Sequence, residues 1–485
     1  MAIARYIRFI MKPRPHIVYI LADDLGYGDL SCLNPESKIA TPRHDRIAAE
    51  GMTFTDAHSN SAVCTPTRYG VLTGRYCWRG RLKAGVLGGY AGLLIEDGRP
   101  TVASLLQQAG YRTACIGKWH LGLGWQRHAG AADRDPWDFS NDDSVRYDRP
   151  LTAGPHTVGF DQSLIIPSSL DIPPYCYIDG DTVVEPPTAA AEESRRPAMW
   201  RAGPISPGIE HETCLLEFTR RAEQCIADHA ARTGDEPLFL YLPLPSPHTP
   251  HVPRKPFRGT TAAGPYGDYV AEHDWSVGQV FDALARHGMA EDTLFIVTSD
   301  NGAHIRGGDF DFQREFGHRS NYHFRGQKSD AWDGGHRVPF LVRWPGRVQP
   351  GSTCDNPVCL TDLFATCAEV TGQASSGGGE DSVSLLPLFN GEPDGYTRDA
   401  TVHHSVSGEF ALRRGRWKYL ECPGSGGWSS PKDAEAREQN LPGHQLYDMA
   451  DDPTESRNVI GEQPDVADQL QQQLDGIRGD DHVAA

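Results

Sequence analysis

Positive charge is scarce in this chain. Its 46 Lys and Arg stand against 64 Asp and Glu, a formal net charge of −18. Such a balance argues against general nucleic-acid binding and against a nonspecific hold on anionic membranes. An anionic substrate would meet a local basic pocket, not a basic surface. Long apolar runs are missing as well, and nothing approaches the ~20 residues that a bilayer-spanning helix needs. The N-terminal stretch Met1–Lys12 is interrupted by Arg5, Arg8 and Lys12 before it attains signal-peptide length. The expectation is a cytoplasmic protein, or a periplasmic or secreted one if a signal has been removed. Paired cysteine spacing is absent: the 11 cysteines are odd in number and scattered. They give neither a disulfide framework nor a zinc-knuckle pattern. Hydrophobic residues still make up 39% of the chain, enough for a substantial core.

What the chain does have is alternation. His16–Ala22 is a near-continuous apolar run that ends in Asp23-Asp24. Runs of this kind suit strands buried on both faces of a parallel sheet. Residues 237–242, 293–298 and 338–342 read the same way. Helical patterns lie between them. Thr101 is placed to cap one that stops near Gly110, and Leu215, Phe218, Ala222, Cys225 and Ile226 form an apolar stripe. Val270, Val277, Phe281 and Leu284 form another, stopped by Gly288. The pattern predicts an α/β fold, doubly wound, with helices on both faces of a large mixed, mostly parallel sheet. Gln373–Glu380, with Ser375, Ser376 and three glycines, reads as a flexible connection. It divides a catalytic domain (1–375) from a small C-terminal α+β subdomain (376–485) with antiparallel strands and a final helix over Val466–Ile477. The Pro-, Gly- and Asp-rich segment from about 125 to 235 reads as an inserted set of loops that would set substrate choice.

Polar residues follow the strands at their carboxyl ends, the edge where open α/β sheets bind ligands. Asp23, Asp24, Asp300 and Asn301 are hard oxygen donors of the kind calcium takes. Each pair alone is more simply a turn or a cap; together, and with Cys64, they favour a metal. Pro66 suits the first turn of a helix starting near Cys64, whose free N–H groups would face an anion, with Arg68 one step along. A lone Cys in this context is usually a buried structural thiol. Lys118 offers a fixed cation and His120 a proton carrier near neutral pH. The prolines around His248 stiffen its loop, and the nearby His251 carries less weight. Lys328 precedes the run Trp332-Asp333-Gly334-Gly335-His336-Arg337; a solvated lysine is otherwise the common state.

Taken in order, these motifs resemble the sulfatase family of the alkaline phosphatase superfamily, in its arylsulfatase A-type, cysteine-bearing branch. The resemblance rests on Leu21 to Asp29, on Cys64-Thr65-Pro66-Thr67-Arg68 with Leu72-Thr73-Gly74-Arg75, and on Gly110 to His120. It continues in Ser246-Pro247-His248, in Lys328 with 333–337, and in Leu446-Tyr447-Asp448, Asp452-Pro453, Glu455 and Asn458. It implies an alkaline phosphatase-like fold and hydrolysis of an aryl or carbohydrate sulfate ester. It also implies oxidation of Cys64 to Cα-formylglycine by a formylglycine-generating enzyme, and one Ca2+ held by Asp23, Asp24, Asp300, Asn301 and the matured Cys64. The implied catalytic set is Cys64, Arg68, Lys118, His120, His248 and Lys328. Hydration of the aldehyde would give one oxygen to attack sulfur and a second, deprotonated by His120, to expel sulfate. His248 or Lys328 would protonate the leaving oxygen. The implied partners are a sulfated small molecule or glycan, with no nucleic acid and no membrane. Two other readings use the same pocket: a formylglycine-dependent phosphonate monoester or phosphodiester hydrolase, and a non-catalytic protein that binds sulfated glycans. His304, Arg306, His403 and His404 could reach a sugar or equally lie at the surface.

Overall fold

The computed structural model describes residues 14–130, 135, 137–195, 198–307, 310–374 and 377–479. The N-terminal stretch with Arg5, Arg8 and Lys12, and the linker residues Ser375 and Ser376, lie outside them. The main sheet has ten strands. In chain order these are β1 (His16–Asp23), β2 (Met52–Phe54), β3 (Arg112–Lys118), β4 (Gln162–Ile166), β5 (Ile178–Asp179), β6 (Thr182–Val183), β7 (Leu238–Pro247), β8 (Thr293–Ser299), β9 (Phe340–Arg343) and β10 (Ser352–Cys354). Their spatial order is β10-β2-β9-β8-β1-β7-β3-β4-β5-β6. The centre is parallel: β1 pairs with β7 and β8, and β3 with β7 and β4.

Strand alternation builds the layers. Ile17, Tyr19 and Leu21 of β1 point into one hydrophobic cluster, and Val18, Ile20 and Ala22 into the other. Eight helices matter to the account: α1 (Pro42–Glu50), α2 (Cys64–Thr73), α3 (Val102–Gln108), α4 (Cys214–Ala230), α5 (Gly264–Arg286), the single turn α6 (Asp333–His336), α7 (Leu363–Thr371) and α8 (Pro464–Gly479). The first cluster is closed by α2, α3 and α7, through Tyr69, Leu106 and Phe364 among others. The second is closed by α1, α4 and α5, through Ile47, Phe218, Ala222, Val277 and Phe281. A sheet buried on both faces explains the unbroken apolar strands. Thr101 caps α3 as expected: its Oγ1 accepts from the Ser104 N–H at 3.1 Å, and Ser104 Oγ accepts from the Thr101 N–H at 2.9 Å.

The sheet is mixed and mostly parallel, as expected: β9 runs antiparallel to β8, and its uniformly apolar run reflects full burial, not strand direction. One expectation is corrected: the segment 125–235 is more than loops, for besides α4, where the apolar stripe predicts a helix, it supplies β4, β5 and β6 to the main sheet. Those strands are short, so no periodicity announces them.

The C-terminal part is a separate four-stranded antiparallel sheet: β11 (Thr401–His404), β12 (Phe410–Arg414), β13 (Trp417–Leu420) and β14 (Gln445–Asp448). The last helix, α8, lays Ala467, Leu470 and Leu474 on Val402, Leu412, Tyr419 and Leu446. No described helix is long and apolar enough to cross a membrane.

Candidate functional site

Three adjacent central strands end at one edge and deliver polar groups there: β1 gives Asp23 with Asp24 after it, β7 leads into His248, and β8 into Asp300 and Asn301. β3, beside β7, ends in Lys118, with His120 two residues on. Across this edge lies α2. Cys64 is its first residue and all ten residues of the helix are buried. Gly74 stops it at φ 64°, the left-handed conformation a glycine C-cap adopts without strain. The first turn of α2 brings Cys64 Sγ within 4.8 Å of the Asp23 and Asp300 carboxylates at this edge.

Cys64 Sγ lies 3.2 Å from His120 Nδ1. His120 Nε2 donates to the Leu87 carbonyl at 2.8 Å, which leaves Nδ1 as the acceptor facing sulfur. Burial, reinforced by the Lys118 ammonium, holds His120 well below the ordinary imidazole range, so the ring is neutral and ready to take a proton. Burial also pushes the Cys64 thiol up, against the pull of Lys118 and Lys328. The unmodified residue is thus a thiol, not a thiolate.

Arg68 is wholly buried. Its Nε and Nη2 donate to Asp300 Oδ2 at 3.1 and 2.7 Å, and its Nη1 donates to the Lys118 carbonyl at 2.9 Å. Lys118 Nζ donates to Asp23 Oδ2 at 2.5 Å, and Lys328 Nζ sits 2.7 Å from Asp24 Oδ1. Burial alone would raise Asp23 and Asp24, but the neighbouring cations win. Lys118, with His248, Arg68 and Lys328, holds Asp23 well below the usual carboxylate range, and Lys328 with His248 lowers Asp24. Asp300 goes the other way: burial and the Asp23 charge push it up to about 7. His248 donates from Nδ1 to the Thr249 carbonyl at 2.6 Å, which leaves Nε2 directed at Asp24 Oδ2, 3.7 Å away. Burial, then Lys328, lowers its pKa.

Asp24 and His120 both hold positive φ, 64° and 54°. Neither is glycine, and such backbone persists only where the surroundings over-determine it. Both residues sit at strand exits, where the turn aims the side chain back over the edge.

The donor set suits a divalent cation. Asp23, Cys64 and Asp300 each place a ligand-capable atom within 4.8 Å of the others. Asp23 Oδ1 and Asn301 Oδ1 are buried acceptors with no hydrogen-bond donor, while Asn301 Nδ2 is occupied by Asp24 Oδ1 at 2.6 Å. Unpartnered oxygens are costly in such a setting. A hard cation would satisfy both, and oxygen ligands select calcium or magnesium over zinc.

All ten residues named from the sequence for catalysis or metal holding meet at this edge. The others do not. His251 packs edge-on against Tyr266 and Phe312. Arg306 is exposed and paired with Asp311 at 3.0 Å. His403 and His404 are buried residues of strand β11 in the C-terminal sheet, away from the surface. His304 lies beside Trp428, with ring centroids 5.0 Å apart and planes tilted by 58°, and its charge bears on Asp24. Ser169 and Asp171 escaped sequence reading: Ser169 Oγ is 3.1 Å from His248 Nδ1, and Asp171 Oδ1 3.9 Å from it. They lie between β4 and β5, where no motif marks them.

Comparison with known proteins agrees with this geometry. The Sulfatase family profile matches residues 15–373. The chain is 32% identical to an N-acetylgalactosamine-6-O-sulfatase of Bacteroides thetaiotaomicron, over 96% of this chain and 93% of that protein. It is 32% identical to human arylsulfatase A, over 92% of this chain and 83% of the relative. A solved B. thetaiotaomicron structure, from work on glycosaminoglycan metabolism, superposes with a TM-score of 0.83 at 30% identity, covering 96% of this chain and 99% of that one. The fold is also that of a phosphonate monoester hydrolase of Agrobacterium radiobacter, with a TM-score of 0.58 at 20% identity over 96% and 95% of the two chains.

Proposed function

This chain belongs to the sulfatase family and hydrolyses sulfate esters; from that premise we propose that it removes sulfate from a sulfated sugar, through a matured Cys64. The relative at 32% identity over almost the whole chain acts on an N-acetylgalactosamine 6-O-sulfate, which supports a sulfated hexosamine as the substrate class. The observation that carries the mechanism is Cys64 Sγ facing the free lone pair of His120 at 3.2 Å, on the buried first turn of α2. Sγ here stands in for the oxygens of a hydrated formylglycine. That group supplies what no encoded side chain has: one oxygen to attack sulfur and a second whose deprotonation expels the product.

The protein's own side chains do the rest. Lys118, Lys328 and the guanidinium of Arg68 surround the attacked centre and offset charge growing on the sulfuryl oxygens. Arg68, pinned by Asp300 and the Lys118 carbonyl, orients the nucleophile. The leaving oxygen takes its proton from Lys328 or from His248 Nε2, the latter only with the ring as imidazolium, because the Nδ1–H is committed to the Thr249 carbonyl. His120, neutral and fixed in its tautomer, takes the proton from the second hydroxyl. Asp23, Asp24, Asp300 and Asn301 would hold calcium, which when bound adds Lewis-acid charge to the nucleophile and a sulfate oxygen.

Ser169 and Asp171 stand beside His248, which supports a role for the segment 125–235 in reading the sugar. Maturation requires a formylglycine-generating partner. All eleven cysteines are unpaired, which supports a reducing, cytoplasmic setting.

Two measurements test the reading. Mass spectrometry of the Cys64 peptide from the native host should show a carbonyl in place of the thiol. Turnover should be faster on a 6-O-sulfated hexosamine and an aryl sulfate than on an aryl phosphodiester. An intact thiol in fully active protein would overturn the mechanism, and a preference for the phosphodiester would overturn the substrate.

A further inference from the structure

The α6 turn, Asp333-Gly334-Gly335-His336, touches neither Cys64 nor the ligand carboxylates, yet its backbone carries both loops that bear them. The Gly335 carbonyl accepts from the Gly302 N–H at 3.0 Å, next to Asn301, and the His336 carbonyl accepts from the Ser59 N–H at 2.9 Å, ahead of Cys64. The contact with the metal loop is direct. A Cβ on Gly302 would stand 1.9 Å from the Gly334 oxygen.

α6 is held in turn from the C-terminal sheet. Lys418 of β13 is fully buried. Its ammonium donates to Asp333 Oδ1 at 2.7 Å and to His336 Nε2 at 3.1 Å, and makes a 2.7 Å ion contact with Glu455 Oε1. Two of its N–H groups meet hydrogen-bond acceptors, and Glu455 Oε1 is held by charge alone. Glu455 Oε2 accepts from the Asp333 N–H at 2.6 Å, and Glu455 itself sits at φ 51°. A strained backbone at a buried carboxylate marks a position fixed by its surroundings.

His58 and His403 complete the cluster. His58 Nε2 donates to Asp56 at 2.7 Å, and His58 Nδ1 lies 3.0 Å from His336 Nδ1. The three histidines each bring a ring nitrogen within 4.8 Å of the others. However, His336 and His403 stack with centroids 3.9 Å apart and planes only 8° apart. Their in-plane lone pairs run parallel and do not converge on a metal. In the tautomer whose His336 Nε2 accepts from Lys418 and does not donate to the Ala331 carbonyl 3.3 Å away, the proton on Nδ1 points to His58, and hydrogen bonds run from Lys418 to Asp56.

We propose that Lys418 and Glu455 are positioning residues: the C-terminal sheet, through them and α6, sets the placement of the Asn301 loop and the Ser59–Cys64 loop. This builds on the reading of the edge as the catalytic site, but its first test does not depend on that reading. Without Lys418, Asp333 keeps only Arg337 as its cation, Glu455 loses its partner, and α6 is free to shift.

The experiment is hydrogen exchange by mass spectrometry on Lys418→Met and the parent. Peptides covering 57–63 and 300–303 should exchange about tenfold faster in the variant, while α5 keeps its protection. With an aryl sulfate, kcat should fall about tenfold or more and KM should stay within about twofold, because binding groups remain and alignment does not. Unchanged exchange at both loops in a variant with protected α5 overturns the proposal, whatever the activity. If Lys418→Met does not fold, Glu455→Gln takes its place; the same loops should loosen about threefold, and no change there overturns the proposal equally.

Discussion

Arg68 Nη2 and Asp300 Oδ2 lie 2.7 Å apart, with neither side chain exposed to solvent. This pair ties the helix that starts at Cys64 to the strand that ends in the Asp300–Asn301 loop. Burial, with the Asp23 charge on its other side, holds the Asp300 carboxyl up at about 7 against the pull of the Arg68 guanidinium.

Asp300→Asn keeps the shape and one acceptor for Arg68 but removes the ligand charge. kcat should fall by about a hundredfold or more. The calcium concentration for half-maximal activity should rise, with a melting temperature within a few degrees of the parent. Parent-level activity in the presence of a chelator would remove the metal from the account.

Cys64→Ser offers one hydroxyl where the mechanism needs two. It should release about one equivalent of phenol per chain from an aryl sulfate and then stall. Quenched-flow measurement with intact-mass analysis should find one sulfate retained on the chain, within the peptide that spans position 64. Sustained turnover near the parent rate would refute the diol route.

Burial holds His404 at about 4, against ~6.5 in the unfolded chain. The folded value is lowered, so its contribution is complete above ~6.5 and is lost as pH falls toward 4, because the unfolded state takes the proton first. At about 1.4 kcal/mol per pH unit, this amounts to about 3 kcal/mol over the window. Asp300 and Glu455, raised to about 7, act in the opposite direction, so the comparison must be with a variant. Urea midpoints between pH 7 and 4 should fall less steeply for His404→Gln than for the parent. Identical slopes would mean that the ring is not held neutral.

Gly302→Ala places a methyl carbon where the Gly334 carbonyl already stands. Backbone must move, at a cost of about 2–4 kcal/mol. Chemical denaturation should show this loss together with weaker calcium dependence. A stability change below about 0.5 kcal/mol would contradict the close approach.

Much of this was legible in the sequence, for reasons that differ by residue. The apolar strands that end in Asp23, His248 and Asp300 read directly, because a sheet covered on both faces leaves no polar position until the edge. Cys64, Arg68, Lys118 and His120 were found through ordered motifs. The antiparallel sense of β9 was hidden, since burial pattern carries no direction. β4 to β6 were hidden by their shortness. Ser169 and Asp171 were hidden because proximity to His248 arises only when β4 docks on β3. Lys418 and Glu455 were visible as letters, but their role depends on a contact between two sheets.

Cys64 is 2% exposed, on a helix with no exposed residue. No other protein can reach that sulfur once the sheet has closed over it. If Cys64 is matured as proposed, its oxidation would belong to the nascent chain, in the interval between synthesis and collapse. Molecules that close with the sulfur intact would then stay inactive, and the yield of working enzyme would be set by a race between two clocks.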